Sequence, residues 1–98
     1  MNTLHILYPG EWPMALERLW SAGDTLLLAG ASVSLALAPN GSLQHFMQRR
    51  GSGARVVALD DAVHCRGLQP HWPKNIALIN ADAWVELVTR HPKSLSWA

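Results

Sequence analysis

The residues with the greatest capacity for chemistry lie in a short segment after the third predicted strand. Cys65 is the only cysteine of the chain, and His64 and Arg66 stand on either side of it. A cysteine becomes a nucleophile where its thiolate is favoured, as at a helix N-terminus or beside a cation. The sequence instead predicts Cys65 in the last turn of a helix, where the helix dipole opposes a thiolate. Cys65 is therefore a weak catalytic candidate, and a semi-buried structural cysteine is the favoured interpretation.

The remaining polar residues do not form a recognisable metal or cofactor motif. Neighbouring side chains on a helix point about 100° apart, so His64 and Cys65 cannot easily share one ion. A phosphate-receiving domain would need acidic residues after the first strand to hold magnesium, and Tyr8-Pro9-Gly10 stands there. Asp60 and Asp61 fit better at the N-terminus of a helix. Glycine-rich phosphate-binding motifs are also absent from the sequence, so we expect no metal and no cofactor.

Alternating apolar and helical patterns predict strands separated by helices. The continuous apolar run over 25–29 is typical of a strand buried on both faces. The segment 31–38 suits a strand or a helix, and a helix is favoured because parallel strands need a crossover between them. The prediction is an α/β fold, a three-layer α/β/α sandwich with a five-stranded, mainly parallel sheet, in one domain over residues 1–98. The predicted strands are Thr3–Leu7, 25–29, Arg55–Leu59, 75–79 and 94–97.

Residues typical of helix ends mark the connections between these strands. An apolar stripe over 12–20 predicts a first helix that Gly23 ends, and Ser42 is a plausible cap of a later helix. Gly51-Ser52-Gly53 is interpreted as a flexible connector. Asn80 is predicted to cap the last helix, which extends to residue 91.

The chain finishes on a short segment that ends in a large aromatic residue, Trp97. Termini fray unless contacts hold them, and a strand docked at a sheet edge is one way to do so. We therefore expect the last strand to complete the sheet, with Trp97 packed on this subunit or on a neighbour. Trp72, in a loop between two prolines, is a second candidate for contact with a partner, and its alternative is a cover over the sheet end.

The composition favours burial against partner proteins. Only 15% of the residues are charged, 49% are hydrophobic, and five tryptophans occur in 98 residues. Tryptophan is enriched at interfaces. A net charge of +1 gives no electrostatic support for nucleic-acid binding. The longest nearly apolar stretch, 25–38, is too short to span a bilayer, and the first residues lack the basic region of a signal peptide, so a cytoplasmic protein is expected.

Several segments together resemble one family. They are Gly23-Asp24-Thr25-Leu26-Leu27-Leu28, Val56-Val57-Ala58-Leu59-Asp60-Asp61, Cys65-Arg66-Gly67-Leu68 and the stretch from Asp82 to Trp97, with Thr89-Arg90-His91-Pro92 and Ser96-Trp97. The chain resembles the TusB/DsrH family, whose members are the smallest subunits of the TusBCD (DsrEFH-type) sulfur-relay complex. The resemblance covers essentially the whole chain, and its C-terminal part is the most specific.

The resemblance implies a flavodoxin-like, DsrEFH-like fold and a place in a dimer of heterotrimers with TusC- and TusD-like paralogous subunits. That complex receives a persulfide sulfur from a TusA-like carrier and passes it to a TusE-like carrier, for 2-thiouridine at the tRNA wobble position. In sulfur-oxidising bacteria the related complex serves sulfur oxidation. The chain departs from the expected family pattern in the segment Ala31-Ser32-Val33-Ser34-Leu35, where a Gly-Val pair is expected.

The resemblance also implies that this subunit has no catalytic role. The nucleophilic cysteine of the complex belongs to the TusD-like subunit, at the start of the helix after strand three, and here Leu59-Asp60-Asp61 occupies that place. Two alternatives stay open: a persulfide carrier that acts through Cys65, and a stand-alone homo-oligomeric domain that binds a ligand. The residues expected at subunit interfaces are Trp72, Trp84, His91 and Trp97.

Overall fold

The computed structural model describes residues 2–51 and 55–97, so Ser52 and Gly53 of the predicted connector lie outside the described residues. Strands and helices alternate along the chain, which confirms the α/β class. Among the described residues, Gly30–Leu37 and Gln69–His71 form 3₁₀ helices. The strands are β1 (Thr3–Leu7), β2 (Thr25–Leu28), β3 (Arg55–Leu59), β4 (Ala77–Ile79) and β5 (Lys93–Trp97); the α-helices are α1 (Met14–Leu19), α2 (Ser42–Arg50), α3 (Asp60–Cys65) and α4 (Ala81–Arg90).

The strands form one parallel sheet in the order β4-β3-β2-β1-β5. The first three crossovers each advance one strand in the same direction, and right-handed connections therefore place α1, α2 and α3 on one face of the sheet. The connection from β4 to β5 runs back across the sheet, so α4 lies on the opposite face. This arrangement confirms the predicted sandwich. The last strand completes the sheet as an edge beside β1, with Thr3 opposite Lys93 and Leu7 opposite Trp97.

A hydrophobic cluster lies on each face of the sheet. The strand β2 contributes to both, because Leu26 and Leu28 point into one cluster and Leu27 points into the other. The larger cluster contains Phe46 of α2, which is fully buried. The smaller cluster contains Leu87 of α4. Burial of β2 on both faces explains why its sequence is a continuous apolar run.

The segment after β2 is helical, as the sequence predicts, although it is a 3₁₀ helix. Ser32 is fully buried at its start. The hydroxyl of Ser32 donates to the carbonyl of Leu7 over 2.6 Å and accepts the N–H of Ala29 over 3.0 Å. Ser32 therefore links the carboxyl ends of β1 and β2, which gives a structural role to one residue of the segment that departs from the family pattern.

The predicted end of the first helix is wrong by one turn. α1 ends at Leu19, whereas Gly23 was expected to end it. Trp20 adopts an extended backbone with φ −72° and ψ 131°, and its ring lies in the larger cluster, 5.0 Å from the ring of Phe46. Packing of this ring thus overrides the helical tendency of the segment.

The caps of two helices show one wrong and one confirmed prediction. Ser42 is the first residue of α2 and not its cap, which is Gly41. The side chain of Gln44 accepts the N–H of Asn40 at this end of the helix instead. The side chain of Asn80 caps α4, as predicted. Within residues 2–51 and 55–97, no helix has the length and apolar character required to cross a bilayer.

Candidate functional site

The carboxyl end of β3 carries the acidic pair that the sequence places before Cys65. α3 begins at Asp60 directly after β3, and Asp60 and Asp61 lie in its first turn. Asp60 is half-buried and Asp61 is exposed. Negative charge is favourable at this end of a helix, because the unpaired N–H groups there carry partial positive charge. Cys65 lies at the opposite end of the same helix.

The surroundings of Cys65 differ from the semi-buried site that the sequence suggested. Its side chain is exposed, since α3 turns Val63 into the core and a residue two positions later points away. His64, the nearest group in the sequence able to activate a thiol, has its Nδ1 atom 3.0 Å from the amide oxygen of Gln69. The imidazole is thus oriented by Gln69.

The histidines are dispersed over the molecule. His45, His64 and His71 are exposed on different elements, whereas His5 is fully buried and His91 is half-buried. Among the residues that the structure describes, no three histidine, cysteine or acidic side chains lie together in a way that could hold a metal ion.

The most elaborate polar site is a buried pair formed by His5 of β1 and Asp24, which directly precedes β2. His5 is 0% and Asp24 is 1% exposed, and His5 Nε2 lies 2.9 Å from Asp24 Oδ2. The same carboxylate accepts the backbone N–H of Thr3 at Oδ1 and that of Ser21 at Oδ2, each over 2.9 Å. Three donors therefore surround a carboxylate that is removed from water. These hydrogen bonds are required for stability, because a buried charge without partners is strongly destabilising.

The partners of His5 determine which of its nitrogens carries the proton. The indole Nε1 of Trp97 lies 3.2 Å from His5 Nδ1, and an indole N–H can only donate. Nδ1 must then accept, so the hydrogen of the neutral imidazole is on Nε2 and is donated to Asp24. A chain of hydrogen bonds runs from β5 through β1 to β2. With both nitrogens used inside the protein, His5 is not available as a general base.

Aromatic stacking completes this site, which we call the His5–Asp24 network. The imidazole of His5 stacks against Trp20 at 5.0 Å and against Trp97 at 6.1 Å between ring centroids. Trp97 is thereby packed on its own subunit, one of the two arrangements expected from the sequence. Its hydrogen bond and its stacking fix the end of the edge strand β5.

The other residues expected at interfaces also have contacts inside the subunit. Trp72 donates from Nε1 to the carbonyl of Ile76 over 2.8 Å. His91 is linked by Nδ1 to the carbonyl of Leu87 and by Nε2 to the hydroxyl of Thr25. Half-buried Trp84 packs against the smaller cluster. The role of these residues in subunit contacts stays a prediction.

Large apolar side chains are exposed on α4. On α4, Val85 and Val88 are 63% and 44% exposed and lie one turn apart. Exposed Ala81 precedes Val85 by one turn. The spacing i, i+4, i+7 was visible in the sequence as a second apolar stripe on this helix. We call Ala81, Val85 and Val88 the α4 stripe.

The environment of Asp24 predicts a loss of stability in acid. Burial raises the pKa of this carboxyl, but hydrogen bonds from the backbone of Ser21 and Thr3 and from His5 outweigh that effect, so its pKa lies below the usual range of aspartate. The folded state therefore binds the proton more weakly than the unfolded state. The stabilisation is complete above the unfolded pKa of about 4 and is lost as the pH falls through the folded value.

This dependence can be measured by urea unfolding between pH 7 and pH 2.5. The difference in free energy of unfolding between the wild type and Asp24→Asn is expected to stay constant down to about pH 5 and to shrink below about pH 4. A difference that persists unchanged at pH 2.5 contradicts the assignment of an ionised Asp24.

Comparison with known proteins identifies the family. Residues 14–94 match the model of the family described as DsrH like protein. The chain belongs to the DsrH-like family. The chain is 34% identical to Protein TusB of Escherichia coli (strain K12) over 97 residues, which cover 96% of this chain and 99% of the relative. It is 36% identical to Protein TusB of Serratia proteamaculans (strain 568) over 83 residues, covering 85% of this chain and 84% of the relative.

Membership in the DsrH-like family confirms the resemblance found in the sequence. The region matched by the family model includes the acidic start of α3, Cys65 and the carboxylate of the His5–Asp24 network. It begins after His5 and ends before Trp97, so the two side chains that bind each other across β1 and β5 lie outside the matched region.

Proposed function

We propose that this member of the DsrH-like family is a non-catalytic structural subunit of a sulfur-relay complex, a dimer of heterotrimers with TusC- and TusD-like subunits. The complex accepts a persulfide sulfur from a TusA-like carrier and passes it to a TusE-like carrier, toward 2-thiouridine at the tRNA wobble position. The chain itself contacts neither nucleic acid nor membrane and works in the cytoplasm. The family match and the likeness to Protein TusB support this proposal.

The observation that carries the non-catalytic role is the first turn of α3. Asp60 and Asp61 stand where the resemblance places the nucleophilic cysteine of the TusD-like subunit. Two carboxylates repel a persulfide anion, and the repulsion is strongest where water is excluded. Cys65 is five residues further along, about 7.5 Å along the helix axis at 1.5 Å per residue. In the TusD-like subunit the reactive sulfur belongs to a cysteine at the start of α3, and this chain has no cysteine at that position.

The contact surface in this proposal includes the α4 stripe. α4 is the helix that covers the second face of the sheet, and its exposed valines offer an apolar surface of the kind that packs against another subunit. The family resemblance and the low charge content of the chain both favour a partner that covers such a surface. The predicted interface residues Trp84 and His91 belong to the same helix and its C-cap.

A second candidate function is a persulfide carrier that acts through Cys65, and the exposure of its side chain favours it. The two functions are separated by Cys65→Ala in a reconstituted complex, with labelled persulfide sulfur supplied on the TusA-like carrier. The structural role predicts transfer to the TusE-like carrier within about twofold of the wild-type rate, since an exposed side chain outside the core is removed. The matched control replaces the cysteine of the TusD-like subunit by alanine and is expected to abolish transfer.

The carrier role predicts the opposite pattern. Transfer would be lost in Cys65→Ala, and the wild-type chain would gain the mass of one sulfur on Cys65 during turnover. Either result contradicts the non-catalytic role. A use of the same complex in sulfur oxidation is a further alternative. It predicts that the reconstituted complex still transfers sulfur, but that the tRNA of a strain lacking this chain is normally thiolated.

A further inference from the structure

A polar depression of about 310 Å³ lies at the amino-terminal ends of the three central strands. Arg55 begins β3, Arg90 ends α4, and both residues line this depression with Asp24, Thr25 and His91. We call it the basal depression. It lies at the opposite end of the sheet from the start of α3, because α3 follows the carboxyl end of β3. A ligand bound there would therefore not take part in chemistry at that other end.

The polar groups of the basal depression differ in their capacity for new contacts. The carboxylate of Asp24 is occupied by the donors of the His5–Asp24 network. Both nitrogens of His91 are also engaged, with Leu87 and with Thr25. Arg55 and Arg90 are exposed, and in the described part of the chain neither lies within ion-pair distance of a carboxylate. Two arginines without an ion-pair partner among the described residues thus line the depression.

We propose that the basal depression receives an acidic side chain of a neighbouring subunit, which Arg55 and Arg90 bind by charge-assisted hydrogen bonds. A guanidinium presents a planar pair of N–H donors that matches the geometry of a carboxylate. The proposal rests on the proposed function, since it assumes that the chain works within a complex. It adds a polar contact at the base of the sheet to the apolar contact of the α4 stripe.

The occupant of the basal depression could be a free anion or an acidic side chain, and the strength of exposed ion pairs favours the side chain. An exposed pair strengthens binding by about fivefold at most, so two pairs leave a free anion with a Kd of roughly ten millimolar or weaker. A carboxylate that is part of a partner surface needs no such affinity, because other contacts hold the partner in place. Charges at the rim of an interface mainly accelerate association and fix orientation. The occupant is therefore a carboxylate of a partner protein.

The test uses this chain and its TusC- and TusD-like paralogues. The variant Arg55→Gln/Arg90→Gln is expected to associate with them about 5- to 30-fold more slowly at low ionic strength and to lose most of the salt dependence of association. The matched control, Arg18→Gln/Arg66→Gln, removes the same net charge from two other exposed arginines and is expected to remain within twofold of the wild type. Circular dichroism and thermal unfolding establish that both variants are folded.

A second measurement identifies the acidic partner directly. In the assembled complex, the variant Arg55→Lys/Arg90→Lys keeps the charge and places amines in the basal depression. A zero-length carbodiimide cross-linker is expected to join one of these amines to an aspartate or glutamate of another subunit, which mass spectrometry locates.

The outcomes distinguish this inference from the proposed function. A complex that forms without a cross-link, or whose association is unchanged in Arg55→Gln/Arg90→Gln, overturns the inference and leaves the proposed function standing. Saturable binding of inorganic phosphate or acetate below one millimolar assigns the depression to a free anion and also overturns it. Failure of the wild-type chain to form any complex overturns both.

Discussion

Asp24→Ala is expected to lower the free energy of unfolding by about 3 kcal/mol or more. The substitution leaves the N–H groups of Thr3 and Ser21 and the Nε2–H of His5 without their acceptor, and each lost hydrogen bond costs about 1 kcal/mol, with more where the donor is buried. This is a large part of the 5–15 kcal/mol that a typical domain possesses. Urea unfolding followed by tryptophan fluorescence measures the loss, since Trp20 and Trp97 stack on His5.

Two variants make the result specific to the buried carboxylate. Asp82→Ala removes an exposed aspartate from the first turn of α4 and is expected to cost only about 0.5 kcal/mol. Asp24→Asn retains one acceptor oxygen, so its loss of stability is expected to lie between those of Asp24→Ala and Asp82→Ala. A loss of less than about 1 kcal/mol in Asp24→Ala would contradict the hydrogen-bonding scheme of the His5–Asp24 network.

Val85→Glu/Val88→Glu is expected to weaken assembly with the TusC- and TusD-like subunits by at least about 100-fold while leaving the isolated chain folded. Both side chains are exposed in the single subunit, so their replacement changes its stability by about 0.5 kcal/mol or less. When another subunit covers the α4 stripe, the same substitutions bury two charges without partners, which costs several kcal/mol of binding free energy. Sedimentation of the co-expressed subunits measures assembly, and urea unfolding of the chain alone measures stability.

The control for the α4 stripe is Glu86→Lys, which also changes the net charge by two units. Glu86 is exposed on the same helix, but it points about 100° away from Val85 and about 160° away from Val88. Its replacement is expected to leave assembly unchanged. Equal assembly of Val85→Glu/Val88→Glu and of the wild type would exclude the α4 stripe as a subunit contact, and the predicted interface residues Trp84 and Trp97 would become the next to be tested.

The parts of the fold that the sequence predicted correctly depend on local patterns. The double-sided burial of β2 is visible as a run of apolar residues, and the cap of α4 is visible as Asn80 before a helical stripe. The end of α1 was predicted wrongly, because Trp20 leaves the helix to pack on His5 and Phe46, and these lie 15 and 26 positions away in the chain. Local propensity contains no information about such contacts.

In the candidate site, too, the sequence predicted what depends on local patterns and missed what depends on contacts between distant residues. The acidic start of α3 and the position of Cys65 at its far end follow from helix patterns in one segment of the sequence. The His5–Asp24 network joins residues from β1, the start of β2 and β5, and only the strand order β2-β1-β5 brings them together. Two hints were present in the sequence: a histidine among the apolar residues of β1, and an aspartate directly before a strand buried on both faces. Neither hint identifies its partner without the topology.

The two ends of the sheet have different roles in this account. At the carboxyl end of β3, the first turn of α3 carries two aspartates, where the family resemblance places the nucleophile of the TusD-like subunit. At the opposite end, the basal depression presents two arginines, and the His5–Asp24 network joins the last strand to the sheet. Both features of this second end concern stability or association, as the proposed role of a structural subunit requires.

The native mass of this chain, expressed alone and co-expressed with TusC- and TusD-like subunits, shows directly whether it is a subunit of a sulfur-relay complex. We expect a complex that contains two copies of each of the three subunits, and we expect Cys65→Ala to give the same mass. A well-folded chain that keeps one mass in the presence and absence of those subunits would contradict the structural role in a sulfur-relay complex.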